Sequence, residues 1–108
     1  MRREAVLEAL RRCAERLRAE CPAVVAIYLF GSFATGTATP RSDADIVVEI
    51  AEEDPALREA VREQAIWIFA EAPVPVEVFV KSAHKLEEGR RTGRGIAGAV
   101  AQEGLRLA

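Results

Sequence analysis

Residues 28–50, YLFGSFATGTATPRSDADIVVEI, decide how this chain folds. The stretch enters on the end of an apolar run, AVVAIYLF (23–30), breaks at Gly31-Ser32, and passes through small and polar residues. It then returns to a second apolar run, ADIVVEI (44–50), with Asp43 and Asp45 at its mouth. Unbroken β-branched runs of this length, bounded by turn residues, read as strands covered on both faces. On an extended chain two residues two apart point to the same side, so Asp43 and Asp45 bring their carboxylates together. Left alone, the pair would raise each other's pKa and cost stability. A divalent cation resolves the conflict, and Mg²⁺ favours a few carboxylates completed by substrate phosphate oxygens. Solvated turn aspartates give the same D-x-D pattern, so that pattern is weak by itself. Gly31-Ser32 strengthens it. A glycine closing a buried strand lets a ligand approach the backbone, and the following N–H groups and the Ser32 hydroxyl can cradle a phosphate. Gly36 would keep the connecting loop tight.

Outward from this stretch the pattern stays regular. Val6, Leu10, Cys13 and Leu17 recur at helical spacing among Arg and Glu, which predicts an amphipathic first helix ending before Pro22. After the second strand, Asp54 and Pro55 are an N-cap and first-turn pair for a helix whose apolar face carries Leu57, Val61, Ala65 and Ile68. Trp67 is expected in the same core contact. PVPVEVFV (73–80) predicts a third strand, opened by prolines. Ser82 is a candidate cap for a helix beginning AHKLEEG, and a helix IAGAVAQEG and a short strand LRLA come after it. The expected fold is α/β (α+β): a mixed sheet of three to four strands flanked by helices, in one domain spanning 1–108. The helical crossover between the second and third strands permits parallel pairing; sheet order is not decided by pattern.

Composition narrows the function classes. The chain has 108 residues, half of them hydrophobic, and a net charge of −2, which argues against a grip on long nucleic acid. No apolar stretch approaches a membrane span and the N-terminus has no signal-peptide pattern, so no membrane role and a cytoplasmic location are expected. Cys13 and Cys21 lack metal-type spacing, and Cys13 falls on an apolar helix face, as a buried thiol would. His84, the sole histidine, has no second histidine with which to share a metal and reads as a surface residue. RRTGRG (90–95) reads as a basic, glycine-rich loop: Arg90, Arg91 and Arg94, with Gly89, Gly93 and Gly95, either reach a triphosphate or an acidic partner or lie solvated, two readings of equal weight.

The order FGSFATG (30–36), then RSDADIVV (41–48), resembles the minimal nucleotidyltransferases of the DNA polymerase β superfamily. The leading helix and the Glu103-Gly104 pair before a last short strand extend the likeness. The resemblance implies a nucleotidyltransferase fold and two-metal nucleotidyl transfer. Asp43 and Asp45 would hold two Mg²⁺ ions, and Gly31 and Ser32 would position the β- and γ-phosphates of a nucleoside triphosphate, with ATP expected. The family's third carboxylate, usually Asp, falls at Glu77, which would complete the catalytic metal site and help deprotonate the attacking hydroxyl. Glu is longer than Asp by about 1.5 Å, and Mg²⁺ geometry is strict. The departure therefore bears on turnover more than on fold or nucleotide binding. Relatives of this kind often pair with a small helical HEPN-domain toxin and act as its antitoxin by adenylylating it. The resemblance thus implies a HEPN-type partner, and a homodimer is a second form of association to expect. The alternative is a catalytically weak or inactive nucleotide-binding module that neutralises or scaffolds its partner by binding alone.

Overall fold

The computed structural model describes residues 2–108. The elements, in chain order, are α1 (Arg3–Glu20), β1 (Val24–Phe30), α2 (Ser32–Thr35), β2 (Ala44–Ile50), α3 (Pro55–Phe69), β3 (Val76–Ser82), α4 (Ala83–Thr92), α5 (Gly95–Glu103) and β4 (Leu105–Arg106). The four strands form one mixed sheet in the order β3-β2-β1-β4. β1 runs antiparallel to β2 and to β4, and β2 runs parallel to β3 across the α3 crossover.

Each strand divides its side chains between two layers. Ile27 and Leu29 of β1, Ile46, Val48 and Ile50 of β2, and Val78 and Val80 of β3 pack against α1 and α3 in a single core. α1 contributes Val6, Leu10, Cys13, Ala14 and Leu17 to it, and α3 contributes Val61, Ala65, Ile68 and Phe69. On the opposite face, α4 and α5 cover only part of the sheet, near Tyr28 and Glu49. Both faces of β2 are therefore largely dry, and Val47 is fully buried on the α4–α5 side. That is why the strand reads as a continuous apolar run rather than an alternating one. The remainder of the second face, at the start of β2 and β3, is open.

The predicted caps are present. The Asp54 carboxylate accepts from the N–H groups of Ala56 and Leu57, and the Ser82 hydroxyl accepts from that of Lys85. Cys13 and Cys21 are buried free thiols, and burial pushes the Cys13 thiol up from its ordinary pKa. Three expectations need correction. Trp67 is not in the core: it lies on the outer side of α3 with 81% of its surface exposed, because Val61, Ala65 and Ile68 already fill the inward stripe. The prolines of the third strand precede it, and pairing begins only at Val76. The basic segment is mostly helix, since α4 absorbs Arg90 and Arg91 and leaves only Gly93 and Arg94 between α4 and α5.

Candidate active site

The open part of the sheet collects the carboxylates singled out in the sequence. Phe30 of β1, Asp45 of β2 and Glu77 of β3 are register partners in adjacent strands and form one row across the sheet. Asp43 lies one residue before β2, on the same side as Asp45 by alternation. Glu77 and Asp43 are exposed, and Asp45 is half-buried. The next row carries Phe79, whose ring packs against that of Phe30 with centroids 5.9 Å apart, so the carboxylates stand beside an aromatic floor.

The loop ahead of Asp43 is closed locally. Ser42 Oγ accepts from the Thr39 N–H at 2.8 Å, and the Ser42 N–H donates to the Thr39 carbonyl at 3.0 Å. The serine of the S-D-x-D pattern thus shapes the turn that delivers Asp43. The Ala44 N–H donates to the Pro75 carbonyl at 2.8 Å, which ties the start of β2 to the start of β3 and levels Asp45 with Glu77.

Gly31 closes β1 at φ 77°, ψ −156°, a conformation essentially reserved to glycine. It is also the point where the backbone meets Asp45: a Cβ added here would run into Asp45 Oδ2. Beyond Gly31 the chain does not make an open turn but winds into the one-turn helix α2, an element that no pattern in the sequence predicts. Its first amides, those of Ser32 and Phe33, have no intrahelical acceptor, while Ala34 and Thr35 donate to the Gly31 carbonyl.

Two side chains from distant parts of the chain hold this short helix from opposite ends. Arg3 of α1 donates from Nε to the Phe33 carbonyl and from Nη2 to the Ala34 carbonyl, each at 3.1 Å. Glu103 of α5 accepts from the Gly31 N–H at 3.3 Å. Nothing in the sequence near Arg3 marks it among the chain's many arginines. Glu103 had one signal, its place in the Glu-Gly pair before the last strand.

The electrostatics agree with a cation site. Burial, then the nearby Glu77 and Asp43 charges, raise the Asp45 carboxyl above its ordinary pKa. Among the described residues no three metal-ligating side chains are drawn close enough to enclose an ion on their own. The donor set suits an ion that takes one or two carboxylates and completes its shell with water and phosphate, which is the habit of Mg²⁺. His84 is exposed at the start of α4 and faces Glu88 at 3.7 Å, away from this chemistry.

The nucleotidyltransferase domain family matches residues 10–92, from the middle of α1 to the end of α4. The chain belongs to that family. No curated protein matches it significantly by sequence. Among solved structures it is similar to a protein from Sulfolobus solfataricus described as a nucleotidyltransferase. The TM-score is 0.65 at 17% identity, covering 96% of this chain and 80% of that one. It is also similar to a chain of a toxin–antitoxin complex with AMP-PNP, at TM-score 0.57 and 24% identity, covering 91% and 72%. A third similarity is to a chain of the complex between a tri-AMPylated Shewanella oneidensis HEPN toxin and its MNT antitoxin. There the TM-score is 0.50 at 17% identity, covering 99% and 72%. At these identities the likenesses show a shared fold. Among the described residues no helix is long and apolar enough to cross a membrane.

Proposed function

We propose that the protein transfers AMP from ATP to a hydroxyl of a partner protein, a HEPN-type toxin that it restrains as an antitoxin. The observation that carries this reading is the convergence of Gly31, Asp45 and Glu77: a side chain at the glycine would collide with one carboxylate, and the second stands level with it on the next strand. The complexes of similar fold, one with AMP-PNP and one with an AMPylated HEPN toxin, support the choice of nucleotide and partner.

In this reading Gly31 and Ser32 receive the β- and γ-phosphates, and Asp43, Asp45 and Glu77 hold Mg²⁺. The ions supply charge stabilisation at the attacking and leaving oxygens when bound. Asp45, carrying a raised pKa in a half-buried setting, is poised to bind a cation together with its nucleotide. Glu77, exposed at the rim, takes the proton of the incoming hydroxyl. The Phe30 and Phe79 rings provide an apolar surface beside the carboxylates.

The test is intact-mass measurement of a HEPN-type partner after incubation with this protein, ATP and Mg²⁺. The expected result is a gain of one or more AMP units. Glu77→Ala should remove the gain, costing about 3 kcal/mol or at least a hundredfold in rate, while ATP binding persists. Glu77→Asp should retain transfer. Equal transfer by wild type and Glu77→Ala would reject Glu77 as the third carboxylate. The second reading, a binding module without turnover, draws on the exposed, longer acid at the third position. It is supported instead if wild type binds ATP and partner and transfers nothing.

A further inference from the structure

The basic segment of α4 and α5 has no part in the transfer chemistry, and the fold decides where it lies. β2 and β3 run parallel, so Asp45 and Glu77 mark one end of the sheet and Glu49 and Lys81 the other. Gly31 follows Phe30, the register partner of Asp45, and so belongs to the carboxylate end. Lys81 lies four residues beyond Glu77 on the same face, about 13 Å away at ~3.3 Å per residue. There a recess of 390 Å³ opens, lined by Lys81, Lys85, Glu88 and Arg94, with Ile96 and Ala97 on its apolar side. Lys81 is half-buried, and Lys85 and Arg94 are exposed. None of the three cations forms an ion pair with a described residue. Glu88, the one acid on the lining, faces His84. The turn is fixed by left-handed Gly93 and Gly95 on either side of Arg94, at φ 68° and 64°.

For Lys81, Lys85 and Arg94, reaching the triphosphate fails on position, since Gly31 and Ser32 lie toward the opposite end of the sheet. We propose that the recess docks acidic side chains of the acceptor protein and so presents the acceptor's hydroxyl to Glu77 along β3. Calling that partner the acceptor rests on the transferase reading above. Three cations without internal partners, one of them half-buried, attract carboxylates and orient the encounter. A nucleic acid fits less well. The lining has no aromatic side chain on which bases could stack. Glu88 is on the lining, Glu87 precedes it on α4, and the chain as a whole is acidic, so a long polyanion would meet repulsion on leaving the recess.

The probe is a fluorescein-labelled hexaglutamate peptide, followed by anisotropy at low ionic strength. Wild type should bind it, and added salt should weaken the binding. The triple variant Lys81→Gln, Lys85→Gln, Arg94→Gln should bind about tenfold more weakly or worse. Lys81→Arg, Lys85→Arg with Arg94→Lys should keep the affinity, and Arg11→Gln with Arg12→Gln on α1 should leave it unchanged. Equal affinity of wild type and the neutralised triple, or no binding by wild type, overturns the proposal. So does a short single-stranded RNA that displaces the peptide and depends on the same three residues. Mg²⁺-dependent ATP binding, measured on the same proteins, separates the two readings. Peptide binding without ATP binding removes the transferase and leaves the docking surface; the converse removes the docking surface alone.

Discussion

Asp45 is held at a cost. The fold half-buries its carboxyl and places Glu77 and Asp43 within Coulombic range of it. Its carboxyl therefore keeps its proton to a higher pH when folded than when unfolded. Below the ordinary value of 3.8 the group is neutral in both states and contributes nothing. As pH rises above that value the unfolded chain ionises first, so stability falls until the folded carboxyl has also ionised. Asp45→Asn removes the penalty. In metal-free buffer the variant should melt at a higher temperature than wild type at neutral pH, with the gap closing under acid. Mg²⁺ should narrow the gap by stabilising wild type alone. A variant that melts at or below wild type at neutral pH would show that the carboxylate is not strained. Such a stability gain from deleting a carboxylate is what a binding site predicts and a solvated turn does not.

In the proposed function, nucleotide binding turns on the short helix α2, which cannot stand alone. A single turn fixes several dihedrals for very few hydrogen bonds, so its stability must come from outside. Arg3 supplies it at the C-terminal end, where a cation also suits the helix dipole. Gly31, held by Glu103 at the other end, sets the direction in which the Ser32 amide and hydroxyl point. Arg3→Met should therefore loosen the turn without disturbing the core, since the guanidinium reaches only exposed or half-buried carbonyls. Charge-assisted hydrogen bonds of this kind contribute about 1 kcal/mol or somewhat more, so ATP affinity should fall roughly fivefold or beyond. Calorimetric titration with Mg²⁺ and ATP checks this, with the thermal midpoint as control. Unchanged affinity would show that α2 holds its shape unaided, and a collapse of the midpoint would assign Arg3 to the fold instead.

At the scale of the whole molecule, two of the exposed large apolar side chains are neighbours on one helix, while Val25 and Leu105 are exposed on β1 and β4. Ile66 and Trp67 project from α3, at 42% and 81% exposure. A shallow recess lined by Ile66, Ala70, Val74, Pro75 and Val76 adjoins them, where α3 meets the start of the edge strand β3. A large aromatic in water gains nothing for the isolated fold, so Trp67→Ala should shift stability by less than about 0.5 kcal/mol. As the only tryptophan, it reports directly. In the isolated chain its emission should be that of a water-exposed indole, open to acrylamide quenching. Blue-shifted, shielded emission in the purified protein would mean that this face is buried between copies.

The amino-acid order by itself determined the strands, the principal helices and most of the caps. Those features depend on neighbours: runs of β-branched residues, Asp54 before Pro55, and Ser82 ahead of α4 all act within a few residues of themselves. It also determined the candidate chemistry, because the Gly-Ser break and the two aspartates lie close together in the chain. Only the tertiary structure decided the rest. Whether Glu77 stands level with Asp45 depends on strand register, fixed by the Ala44–Pro75 hydrogen bond and by packing over α3. Arg3 and Glu103 reach α2 from 30 and 72 residues away, and no local pattern encodes such a contact. Trp67 was misplaced for the same reason. Hydrophobicity marks what can be buried, but the width of the stripe that the sheet can cover decides what is. On α3 that stripe is already filled by Val61, Ala65 and Ile68.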